Sequence, residues 1–145
     1  MKKIFLGALC LLLCLGVSAK APVKIACVGN SITYGYTIEN RERDSYPAQL
    51  QRMLGEGYTV GNFGKSGATL LNKGHRPYMK QEEFQKALAF AGDIVVIHLG
   101  INDTDPRNWP DYRDFFVRDY LALIDSFHVY TTNVRILVAL MTPIA

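Results

Sequence analysis

"CVGNSITYG", Cys27 to Gly35, closes a short run of β-branched and small residues with Gly29-Asn30-Ser31. Taken alone, the tripeptide is a turn. As the end of a buried parallel strand, it sets a serine hydroxyl where open α/β sheets bind ligands, outside the carboxyl ends of their strands. The flanking sequence favours the second reading. Lys24–Val28, Tyr58–Phe63, Asp93–Leu99 ("DIVVIHL") and Val134–Leu140 ("VRILVAL") read as four strands. Such apolar runs suit strands buried on both faces of a parallel sheet.

Helical patterns lie between the strands. Pro47 suits a first helical position, Leu50, Met53 and Leu54 form an apolar stripe, and Gly55 and Gly57 supply a stop. Phe84, Ala87, Leu88 and Ala91 carry a second helix. Phe116, Tyr120, Leu123, Ile124 and Phe127 share one face of a third. Alternation of this kind predicts an open α/β sheet with right-handed crossovers.

The first residues stand apart from this pattern. Lys2 and Lys3 precede the apolar run Ile4–Val17, which closes on the small residues Val17-Ser18-Ala19. That is the form of a signal peptide, with residues 1–19 removed and Lys20 as the mature N-terminus. The run is shorter than the roughly 20 apolar residues a membrane span needs, so no stable membrane anchor is expected. Leu9 and Leu13 before Cys10 and Cys14 also argue against a lipid anchor. Without Lys2 and Lys3 the formal charge falls from +3 to +1, and no basic stripe remains to bind nucleic acid. Of three cysteines only Cys27 survives, so the mature chain forms no internal disulfide. Secretion or periplasmic export is the expected destination.

Three loops follow strands on one edge of the sheet: Gly29-Asn30-Ser31, then Asn62 to Thr69 ("NFGKSGAT"), then Gly100-Ile101-Asn102-Asp103. "GKS" at Gly64-Lys65-Ser66 is no phosphate loop, since that pattern requires glycine where Thr59 stands. Asn102-Asp103 alone reads as a helix cap. The conjunction, in order and each after a strand, resembles the SGNH or GDSL-like hydrolase family. Its first block is usually Gly-Asp-Ser, here Gly-Asn-Ser. Gly67 matches its second block and Gly100-Ile101-Asn102-Asp103 its third. Through "GNSITYG", "SYPAQL", "NFGKSGATLL" and Asn108-Trp109, the chain looks closest to secreted bacterial esterases of the sialate O-acetylesterase type.

The resemblance implies a three-layer, flavodoxin-like α/β fold over residues 20–145. It implies acyl transfer to Ser31, with the backbone N–H groups of Ser31 and Gly67 and the Asn102 amide holding the oxyanion. Asn30, Asp103 and Trp109 are expected to contact substrate, with Tyr34, Tyr36 and Trp109 as candidate sugar-stacking walls or ordinary packing. It implies no metal or organic cofactor. Substrates are expected to be O-acetylated carbohydrates, or lipid acyl esters; a non-catalytic sugar-binding module is the alternative.

A serine needs a positioned base, usually a histidine oriented by a carboxylate. The family carries this pair as Asp-x-x-His, and the literal match here is Asp125-Ser126-Phe127-His128. It is expected to be a decoy. Asp114, Arg118 and Asp125 line a charged helix face with His128 beside them, and that helix feeds the fourth strand from its amino end. His98 lies inside a strand and is expected to be a packed, hydrogen-bonded core residue. His75 sits in a loop on the correct edge but has no neighbouring acid in sequence. "VRILVALMTPIA" reads as a fourth strand entering its loop, so the true pair is expected beyond Ala145. Intact-mass measurement of exported protein is expected to show a chain beginning at Lys20; a secreted species retaining Met1–Ala19 would contradict the signal-peptide reading.

Overall fold

The computed structural model describes residues 20–141, so the expected leader, residues 1–19, lies outside it, as do residues 142–145. Four parallel strands form one sheet: β1 (Val23–Gly29), β2 (Tyr58–Gly64), β3 (Ile94–His98) and β4 (Arg135–Val138), in the order β2-β1-β3-β4. All four expected strands are present. Between β1 and β2 run the short helices α1 (Ser31–Tyr34) and α2 (Arg41–Asp44), then α3 (Tyr46–Leu54). α4 (Glu82–Phe90) links β2 to β3, and α5 (Phe116–Tyr130) links β3 to β4.

This order is an α/β doubly wound arrangement. The chain leaves β1 toward β2 on one side and later returns to β3 on the other. Right-handed crossovers then put α3 on one face of the sheet and α4 and α5 on the opposite face. The crevice of such a sheet opens where the winding reverses, here between the carboxyl ends of β1 and β3. Register makes that edge flush, because Gly29 pairs with Gly64 on one side and with His98 on the other.

The core lies mainly under α4 and α5. Ala26, Val28, Val95 and Ile97 project from the strands against Phe84, Ala87, Leu88, Leu123 and Phe127. Phe84 meets Phe127 nearly edge-on, with ring centroids 6.1 Å apart. On the opposite face Cys27 is fully buried next to the Tyr46 hydroxyl; burial pushes its thiol up to about 11, against the pull of that hydrogen bond.

Three expectations require correction. Only β1 is buried on both faces; β2 leaves Thr59 and Asn62 exposed, β3 is half-buried at Ile94 and Val96, and β4 leaves Leu137 and Val138 about half exposed. The cause is uneven cover, since α3 is the one long helix on its face among the described residues. Met53 is no part of an apolar stripe, being 83% exposed; α3 lies along the edge strand and buries only Pro47 fully. Ala91 does not extend the α4 stripe either: it terminates the helix in the left-handed region at φ 50° and faces solvent.

Glycines at the ends of β1 and β2 let α1 sit directly on the sheet edge. A Cβ on Gly29 would fall 2.0 Å from Thr33 Oγ1, and one on Gly64 would fall 2.1 Å from the Tyr34 nitrogen. The second clash is with backbone, which cannot rotate away. Gly64→Ala is therefore expected to destabilise the fold by about 1–3 kcal/mol, the usual size of overpacking, as read from the urea midpoint. An unchanged midpoint would show that α1 is not held against β2.

Candidate active site

Ser31 is the first residue of α1. Asn30 caps that helix, its Oδ1 accepting the Ile32 N–H at 3.0 Å, and the Ser31 carbonyl accepts from Gly35 and Tyr36. The turn is thus fixed from both sides, with Ser31 itself half-buried. Below it, Thr33 is fully buried and meets the Tyr46 hydroxyl at 3.2 Å, which ties α1 to α3.

The second loop is joined to the first by the Lys65 N–H, which donates to the Gly29 carbonyl at 2.8 Å. Gly67 adopts φ +78°, a conformation that favours glycine, and a Cβ there would approach Arg76 Nη1 at 3.3 Å. The third loop is a single 3₁₀ turn, Ile101–Thr104. Asn102 donates one amide hydrogen to the Ala68 carbonyl at 2.9 Å, leaving the other free. Neither the Ser31 nor the Gly67 backbone N–H has an acceptor among the described residues. A half-buried serine hydroxyl therefore shares its edge with three uncommitted N–H donors.

Asp103 and Asn30, expected to contact substrate, are both buried and bond to the backbone of the protein. Asp103 is fully buried, and its carboxylate accepts the N–H groups of Leu70 at 2.9 Å and Leu71 at 2.7 Å. Burial pushes this carboxyl above its ordinary range, and the two backbone donors pull against that shift. Asn30 is 1% exposed and serves as the cap. Trp109 is 39% exposed, its ring set edge-on to Phe116.

Two residues to which the sequence reading gave no role in the site complete the frame. Asn108 is fully buried; it accepts the His75 N–H at 2.9 Å and donates to the Asn102 carbonyl at 2.9 Å. Asp119, on α5, accepts the Asn72 N–H at 2.8 Å. Its position was legible: Asp119, Leu123 and Phe127 are spaced four apart, so a carboxylate stands in the apolar stripe.

The histidines sort by the same geometry. Asp125 and His128 are exposed on the last turns of α5, which enters β4 at its amino end, where Arg135 N–H meets the Asp93 carbonyl. Ser31 lies past the opposite end, about 13 Å away for a strand as long as β3. His98 is buried but makes no side-chain hydrogen bond among the described residues, which corrects half of that expectation. His75 is exposed, and its Nδ1 lies 3.0 Å from Asn108 Nδ2. The backbone partners of Asn108 fix which end of its amide is the donor, so His75 Nδ1 accepts and Nε2 carries the proton in the neutral ring.

Residues 27–145 match the GDSL-like lipase/acylhydrolase family. The chain belongs to this family. An acetylxylan esterase from Xylanibacter ruminicola is 51% identical over 104 residues, 72% of this chain, and the chain spans 22% of that esterase. The fold is also that of AlinE4, an SGNH-hydrolase family esterase, with a TM-score of 0.59 at 21% identity over 83% of this chain and 60% of the other. A further crystal structure aligns with a TM-score of 0.64 at 23% identity, over 86% of this chain and 66% of its own. Among the described residues no helix is long and apolar enough to cross a membrane, and no cluster of three or more His, Cys, Asp or Glu could hold a metal ion.

A cavity of about 480 Å³ lies away from this edge, between α2, α3 and β2, and includes none of Ser31, Gly67 or Asn102. A smaller groove borders the site between Tyr36 and Arg76. Replacing Asp103 tests the frame. Asp103→Ala leaves two buried amides without an acceptor, each costing about 1–3 kcal/mol, whereas Asp103→Asn keeps one acceptor oxygen. Chemical denaturation is expected to show a loss of several kcal/mol for alanine and a smaller one for asparagine; a wild-type midpoint for Asp103→Ala would refute the clamp.

Proposed function

We propose that this domain belongs to an exported serine esterase that removes acetyl groups from O-acetylated carbohydrates. The observation that carries this reading is the set of free donors beside Ser31: two backbone N–H groups and the second amide hydrogen of Asn102. In the proposed reaction Ser31 Oγ bonds to the ester carbonyl carbon while its proton passes to a base. The carbonyl oxygen becomes an oxyanion, held by Ser31, Gly67 and Asn102. Collapse expels the sugar oxygen, which takes the proton, and water then releases acetate from the acyl-serine. Donors fixed in advance are effective because they need no reorganisation as charge develops; losing one typically costs roughly 10²–10³ in kcat.

The base is assigned to the family's Asp-x-x-His pair, a role that His128 does not fill. Support for a carbohydrate ester comes from the acetylxylan esterase relative and from the exposed aromatic side chains Tyr36 and Trp109, carried by the segments that follow β1 and β3. The sialate O-acetylesterase type is the narrower form of the same reading, and exported action follows from the leader-like residues 1–19.

A fluorophosphonate probe is expected to label the full-length protein at Ser31, and Ser31→Ala to abolish both labelling and ester hydrolysis. His128→Ala is expected to keep kcat/KM within about twofold, since an exposed helix-end residue on the far edge touches nothing at the site. Labelling that persists in Ser31→Ala would remove the nucleophile. A large loss in a folded His128→Ala variant would make Asp125 and His128 the missing pair.

A further inference from the structure

The groove that adjoins Gly67 through Arg76 is lined by Tyr34, Tyr36, Lys65, Ser66, Arg76 and Glu83. Its charges are not equivalent. Lys65 Nζ is paired with Glu83 Oε1 at 2.9 Å, so these two neutralise each other. Arg76 has no carboxylate partner among the described residues; its Nη1 donates to the Ser66 carbonyl at 2.9 Å, and its remaining N–H groups are uncommitted. That one bond holds the guanidinium against Gly67, next to a proposed oxyanion donor. The groove therefore carries one unneutralised cation and, in Tyr36, an aromatic side chain that is 64% exposed.

We propose that this groove is a subsite for an acidic sugar, in which Arg76 binds the sugar carboxylate and Tyr36 stacks on the ring. The proposal rests on the esterase reading and narrows its substrate class. A guanidinium with a free planar edge matches a planar carboxylate with two parallel hydrogen bonds. A phosphate dianion would need a second cation, and Lys65 is already paired with Glu83. The carboxylate could belong to a hexuronate or a sialate, which share this chemistry.

The test uses the full-length protein and matched pairs of substrates: an O-acetylated hexuronate oligosaccharide and an O-acetylated sialoside, each beside its methyl ester, which removes the charge and keeps the shape. The acid of at least one pair is expected to be preferred in kcat/KM by roughly tenfold, the scale of one charge-assisted hydrogen bond, and the preferred pair identifies the source. Arg76→Gln should erase the preference and Arg76→Lys keep part of it, with circular dichroism confirming the fold of both. Equal rates for acid and methyl ester in both pairs, or a preference that survives Arg76→Gln, would overturn the proposal. Calorimetric titration of the deacetylated acids onto Ser31→Ala separates the two readings. Binding that disappears in the Ser31→Ala/Arg76→Gln double variant supports the subsite even if no ester is hydrolysed, a result that would instead defeat the esterase assignment.

Discussion

The site depends on a flush edge. β1 ends at Gly29, paired across the sheet with Gly64 and His98, so the loops carrying Ser31, Gly67 and Asn102 begin at one level. Glycine at two of these three ends is a steric requirement, because α1 rests where their side chains would be. The serine turn is close to the sheet for want of two methyl groups.

Above that edge, the second loop buries Ala68, Leu70, Leu71 and Tyr78 and is held further by buried polar groups on its neighbours. Asp103 binds two of its amides, Asp119 a third, and Asn108 spans from His75 to the Asn102 carbonyl. Unmatched, each of these buried groups would cost on the order of 1–3 kcal/mol, so the loop geometry and the burial of these side chains enforce each other. Gly67 inherits its position from this arrangement.

The strands and the three blocks were legible in the sequence because apolar runs and turn residues report directly on strand ends. Burial of individual side chains was less so. Met53 fits a helical stripe by spacing, yet α3 runs along an edge strand and has little to bury it against; Ala91 fits its stripe but has to end the helix. Asn30 and Asp103 sit in the expected blocks, and the block pattern cannot tell a substrate contact from a cap or a clamp. That distinction depends on which amides the fold brings opposite a carboxylate. Asp119 was the exception, betrayed by a charge at an apolar position.

The unequal cover of the two sheet faces divides the site mechanically. Asn102 and Gly67 are anchored, through Asp103 and Asp119, to the thick layer under α4 and α5, where Phe84, Leu123 and Phe127 interlock. Ser31 belongs to the thin layer, linked to α3 chiefly through Thr33 and Tyr46, and α3 buries little. Local opening follows the weaker packing. Ser31 thus belongs to a different cooperative unit from Gly67 and Asn102, and thermal opening is expected to begin by drawing Ser31, with its own N–H, away from the other two donors.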